Sequence, residues 1–209
     1  MIVVIGSPVG RMRDGEISAA GMSSRIALAA ARAGGSVQIV GKTGDDATAD
    51  SIVLDLARGA VGHVALLRDA THATPLEQPD ADDAAAEPLP QDVSGPAIDA
   101  ADIDLGLRYL TTFEVVVVAE PAAPELVAVV ADAAEWAGAR MILIVAPGST
   151  TVDALPADVI AFEAPDGDPD GVFADLVGSF AAALGSGTEP EEAFRAAVGA
   201  DGWAEVPGD

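Results

Sequence analysis

The sequence predicts an α/β protein of three layers, with helices over both faces of a mainly parallel sheet, and two observations carry that prediction. Six short β-branched runs recur along the 209 residues, and longer Ala-rich segments separate them. Uninterrupted apolar strands are those buried on both faces, and alternation of such strands with helices is the signature of parallel strands joined by crossovers.

In chain order, the first strand is IVVIG, Ile2–Gly6, followed by a helix over Met22–Ala33. VQIVG at Val37–Gly41 and a helix at Asp46–Arg58 form the second unit, and VALL at Val64–Leu67 is the third strand. A helix at Ala101–Leu110 precedes VVVVA, Val115–Ala119; a helix at Pro124–Ala137 precedes MILIV, Met141–Val145. The last strand is VIAF, Val159–Phe162, with helices at Gly171–Leu184 and Glu189–Val198 behind it. Between Asp69 and Asp99 the chain turns to Asp, Pro, Ala and Gln without any period, which predicts a mobile loop. The expected organisation is one domain over residues 1–200 and an acidic tail over 201–209, whose Trp203 packs back on the body.

Charge narrows the function. A net charge of -24 arises from 34 acidic residues against nine Arg and a single Lys. Nucleic acid and anionic membrane surfaces are excluded as partners, because both demand a cationic patch. No apolar run approaches the ~18 residues of a membrane span. The opening residues lack a basic leader, so a cytoplasmic location is expected. A charge of this size destabilises a compact chain by self-repulsion unless salt screens it. It fits a halophilic cytoplasm, and it equally fits a GC-rich genome, since the sequence contains no Asn. The first origin predicts that circular dichroism will show structure gained as salt rises; a fold indifferent to salt would contradict it.

Among motifs, VGKTG at Val40–Gly44 has the end of a phosphate-binding P-loop, but Ser36 stands where that motif needs its first Gly and VQIV reads as strand. What this region resembles is the ribokinase, or PfkB-type, family of carbohydrate kinases. The stretch GMSSRIALAAARAGGSVQIVGKTGDDATAD, Gly21–Asp50, is similar to the family's glycine pair, helix, strand and Gly-Asp-Asp turn. VVVVAEP and GARMILIVAPGS are similar to its middle crossovers, and GSFAAALGSGTEPEEAFRAAVGA, Gly178–Ala200, to its paired C-terminal helices. The resemblance implies a ribokinase-like fold and an ATP- and Mg-dependent transfer of phosphate to a sugar or nucleoside.

The departures from the pattern point elsewhere. The family's Gly-Ala-Gly-Asp loop supplies an anion hole and a catalytic base; those positions here are Gly171, Val172, Phe173 and Ala174. The base has become a methyl group, and Phe173 puts a large side chain where glycine lets backbone approach phosphate. Asp175 lies one residue on, turned about 100° around the helix. Asp166, Asp168 and Asp170 are further acids that a rearranged site would use, and their turn lacks the register of a calcium loop. Two sugar-binding positions of the family fall on Arg11 and Arg25. With Arg13 they suggest an anionic ligand, or else ordinary pairing with nearby acids.

Nine residues between Arg11 and Gly21 look too few for the family's lid strands, so the lid is expected to be absent or reduced. EAPDGDPDG leads from the last strand directly to the C-terminal helix, without the strands that carry much of the family's nucleotide pocket. His63 and His72, the two histidines, are read as structural or solvated. The sequence therefore predicts a truncated, degenerate ribokinase-like protein without phosphotransfer, a pseudokinase with a small-molecule-binding, regulatory or assembly role. Its ligand would be a small anionic or sugar-like molecule, and an exposed sheet edge would make a homodimer possible. The rival is an active ATP-dependent sugar or nucleoside kinase with a rearranged site.

Overall fold

The computed structural model describes residues 1–77, 95–110, 112–149 and 159–200. The tail with Trp203 and the larger part of the Asp69–Asp99 stretch lie outside the described residues.

Six strands form one parallel sheet: β1 (Ile2–Ile5), β4 (Val37–Gly44), β5 (Val61–Asp69), β6 (Val115–Val118), β7 (Arg140–Val145) and β8 (Val159–Glu163). Their order is β5-β4-β1-β6-β7-β8, so the chain winds from β1 to one edge and then crosses back to fill the other. Alternation along the strands divides the core in two. Ile2, Val4, Ile39, Val117, Ile142 and Ile144 face one helical layer. Val3, Ile5, Val40, Val118, Leu143 and Val145 face the other. The first layer holds α1 (Gly21–Arg32), α2 (Ala47–Arg58), α5 (Val172–Gly185) and α6 (Pro190–Ala200). The second holds α3 (Ala100–Arg108) and α4 (Pro124–Ala137). This is the three-layer α/β/α arrangement predicted from the alternation of strand and helix.

Local chemistry sets the helix starts. The Asp46 carboxylate accepts from the Ala49 N–H to cap α2, and Asp99 with Asp102 closes a capping box on α3. Pro124 opens α4 with its φ already helical, and Gly138 ends it in a left-handed conformation. VGKTG continues β4 to Gly44 as regular strand, and the Lys42 ammonium pairs with Asp102 at 2.8 Å. Phosphate is therefore not cradled there.

One expectation needs correcting. The segment judged too short for lid strands forms a hairpin, β2 (Val9–Arg13) and β3 (Glu16–Ala20), paired antiparallel from Val9 opposite Ala20 to Arg13 opposite Glu16. It fits because only Asp14 and Gly15 make the turn, both with positive φ (54° and 79°), the geometry in which a two-residue loop matches strand twist. The hairpin docks on α2, where the Asp55 carboxylate accepts the Ala19 N–H at 2.8 Å. Beside it, a strap of residues 74–77 passes β2, where Leu76 makes a single parallel bridge with Gly10. Two short strands therefore stand where none were expected.

β5 also runs further than its apolar centre suggested, to Asp69. Beyond it His72 sits in a turn, its Nδ1 2.9 Å from Asp69, so this part of the supposed loop is ordered by local bonds.

Candidate functional site

Parallel sheets bind ligands beyond the carboxyl ends of their strands, at the point where strand order reverses. Here that point lies between β1 and β6. A cavity of about 410 Å³ opens there, lined by Ile5 and Gly6 after β1, Val118 and Glu120 after β6, and the starts of α3 and α4 at Asp99, Ala100 and Ala123. Its volume falls in the range of small-molecule sites. Gly6 is required by close approach: a Cβ there would stand 2.8 Å from the Ser23 Cβ and 3.2 Å from Glu120 Oε1.

Three acids line this cavity, Asp99, Glu120 and Glu125, and Glu120 is the least exposed of them. Its Oε1 accepts the Ser7 N–H at 2.8 Å. Burial pushes its carboxyl above the usual carboxylate range, and the Ser7 bond only partly opposes that shift. An acid whose pKa is higher folded than unfolded binds more protons in the native state. Stability is therefore lost as pH rises through the window between the two values and stays lower above it. Glu120→Gln keeps an acceptor for Ser7 and removes the charge. The variant should be more stable than the parent above neutral pH and should flatten this part of the stability profile; thermal unfolding from pH 4 to 8 checks it, and an unchanged profile would refute it.

The second element is the start of α5. Gly171 takes φ 75° and turns the chain into the helix without donating a side-chain cap. The cap comes from Asp168 instead. Its two carboxylate oxygens accept the N–H groups of Phe173 and Ala174, each at 3.0 Å. Unpaired amides at a helix start are a ready anion site, and here a carboxylate of the same chain fills them. Ala174, where the family resemblance would have the catalytic base, is fully buried in the core with Val177 and Phe180. Asp175, in the first turn, pairs with Arg32 in the last turn of α1.

The third element joins the two arginines. Glu77, on the strap, accepts from Arg11 Nε at 2.7 Å and from an Arg25 terminal nitrogen at 3.2 Å. Its other oxygen accepts the Gly21 N–H at the start of α1, at 2.9 Å. Arg25 also donates to the Asp168 carbonyl, linking the strap to the loop that caps α5. Arg13 lies exposed at the end of β2.

The structure thus brings together Arg11, Arg25 and the loop before Gly171, all three singled out from sequence, and leaves Asp175 and Arg13 apart from them. Sequence reasoning missed Glu77, which belongs to the stretch assigned to a mobile loop. It also missed Glu120, although a single acid after VVVVA, at a strand's carboxyl end, was a readable signal. His63 lies on β5, and its Nδ1 is buried without a hydrogen-bond partner among the described residues. Among those residues no cluster of three metal-ligating side chains occurs, and no helix is long and apolar enough to cross a membrane.

No protein-family model and no curated protein matches this sequence. Solved structures do match it. Aminoimidazole riboside kinase of Salmonella enterica, in complex with aminoimidazole riboside and an ATP analogue, is 14% identical with a TM-score of 0.67, over 96% of this chain and 90% of that one. Phosphofructokinase-2 of Escherichia coli, with fructose-6-phosphate, is 16% identical with a TM-score of 0.64, over 99% and 93%. Ribokinase of Arabidopsis thaliana, with ribose and ATP, is 16% identical with a TM-score of 0.61, over 96% and 90%. Identities this low speak for architecture rather than activity. The chain has the ribokinase-like fold shared by these sugar and nucleoside kinases.

Proposed function

We propose that this is a degenerate ribokinase-like protein that does not transfer phosphoryl groups and instead has a small-molecule-binding, regulatory or assembly role. The observation that carries the reading is the Asp168 carboxylate seated on the Phe173 and Ala174 amides, beside a buried methyl where a base would stand. Phosphoryl transfer is catalysed almost wholly by positioning and charge stabilisation, so a filled anion site and a missing base remove most of what the fold offers. ATP and Mg do not fit this end of α5: a transferred phosphoryl would need the two amides that Asp168 holds, and it would meet a carboxylate there.

The ligand we assign to the cavity at β1 and β6 is small and sugar-like, with Glu120 as the group that fixes its orientation. The rival reading, an active kinase using Asp175 or one of Asp166, Asp168 and Asp170, draws its support from the sugar and nucleoside kinases that share the fold. Against it stand the Arg32 pairing of Asp175 and the capping role of Asp168. Incubation with Mg-ATP and a panel of sugars, nucleosides and polyols, at low and molar salt, separates the two. No phosphorylated product is expected; turnover abolished by Asp175→Ala would overturn the reading. We further infer a single domain over residues 1–200 acting in the cytoplasm. Edge strand β8 is a surface through which two copies would pair, which light scattering at high salt tests.

A further inference from the structure

Glu77 is held by more bonds than a surface ion pair makes. Both carboxylate oxygens are engaged, by two guanidinium groups and by the first amide of a twelve-residue helix. Arg11, Arg25 and Glu77 are all mostly withdrawn from solvent, with side chains 30%, 21% and 21% exposed. Fork-shaped donors combined with a helix start are the chemistry that recognises a free carboxylate or a phosphate. In a chain of net charge -24, two converging arginines are also a rare local excess of positive charge.

The carboxylate reaches this place on a strap, residues 74–77, that is anchored at Thr74. Thr74 is buried; its hydroxyl accepts the Gly44 N–H at 3.0 Å and its own N–H donates to Asp46 at 2.7 Å. Over the next three residues the strap lies along β2 through two backbone bonds, Gly10 N–H to the Pro75 carbonyl and Glu77 N–H to the Gly10 carbonyl, at 2.8 and 2.7 Å. Glu77 is the last described residue of this strap. In the helix turn that Glu77 caps, the Ser23 and Ser24 hydroxyls are buried without partners among the described residues, and Ser23 abuts the Gly6 and Glu120 side of the neighbouring cavity.

We propose that Arg11, Arg25 and the Gly21 amide form an anion-binding site that the chain occupies with its own Glu77, and that a small molecule bearing a phosphate or paired carboxylates is the ligand that displaces it. A tethered carboxylate acts at an effective concentration in the millimolar range, so a weak monoanion does not compete. A doubly charged group gains more from two guanidiniums and does. Displacement breaks the bonds of the Glu77 carboxylate to Arg11, Arg25 and the Gly21 amide and, through Arg25, alters the hold on the Asp168 loop. The proposal deepens the ligand-binding part of the reading above and does not depend on the loss of phosphoryl transfer; detection of kinase turnover would leave it standing.

The test uses the full chain and its Glu77→Ala variant, titrated with inorganic phosphate and separately with succinate, at constant ionic strength in potassium chloride. Calorimetry should show the variant binding at least one of the two anions roughly tenfold more tightly than the parent. Its melting temperature should recover toward the parental value with that anion and not with chloride. Arg25→Met in the Glu77→Ala background should abolish both effects. Phosphate alone or succinate alone identifies the ligand chemistry. Equal affinity of parent and variant would overturn the occupancy claim, and no response to either anion beyond the chloride control would overturn the site. If Glu77→Ala does not fold, Glu77→Gln is titrated while the Gly21 amide is followed by nuclear magnetic resonance; an amide indifferent to both anions overturns the proposal equally.

Discussion

Gly178→Ala should destabilise the protein by about 2 kcal/mol or more, and Gly178→Val should leave little of it folded, because this glycine is where α5 meets α1 backbone to backbone. A Cβ at 178 would stand 2.5 Å from the Ala29 Cβ, 2.7 Å from the Ala30 nitrogen and 2.8 Å from the Ile26 carbonyl oxygen. Two of these are main-chain atoms of a helix, which cannot rotate aside. Helix propensity works in the opposite direction, since Ala in place of an interior Gly contributes about 1 kcal/mol. Steric cost wins because α1 could retreat only by opening its contact with Val177 and Ala181 across the core. Urea unfolding of parent and variants measures the effect; a midpoint raised by Gly178→Ala would show the helices free to separate.

Ala174→Asp carries the second large expected effect. The change replaces a fully buried methyl beside Val177 and Phe180 with a carboxylate, and it does so next to the charge of Asp168. Burial of an unpaired charge is among the few single changes that cost about 3 kcal/mol or more. The variant should therefore be markedly less stable and still show no transfer from Mg-ATP, because the Phe173 and Ala174 amides remain engaged and Phe173 remains in the loop. Thermal unfolding and the product assay check the two halves separately. A stable, active variant would mean that a single methyl had silenced an otherwise intact kinase.

The sheet was legible because its strands are continuous β-branched runs, a pattern that survives without knowledge of partners. VVVV at Val115–Val118 and RMILIV at Arg140–Val145 are buried almost throughout, as such runs must be. Helix ends fell within a residue or two of expectation wherever a cap was local, as at Asp46 and Pro124. The hairpin was misjudged because residues were counted against a longer lid, while the Asp14-Gly15 turn signal inside RMRDGEIS went unread. Substitutions at 173 and 174 were readable from the family pattern. That Asp168 would fill the vacated amides was not, since EAPDGDPDG offers several acids and only geometry selects one. Glu77 was further from reach: its partners Arg25 and Arg11 lie 52 and 66 residues away, and contacts of that span leave no local pattern in a single sequence.

On the reading proposed above, α5 begins with its anion site already filled by Asp168, and the ribokinase-like fold is kept without phosphoryl transfer. The Phe173 and Ala174 amides report on it directly. Nitrogen-15 labelled protein at molar salt, titrated with Mg-ATP to millimolar concentration, should leave both amide resonances in place in the parent. Saturable shifts of the two amides on nucleotide addition, with Asp168 displaced, would contradict the account.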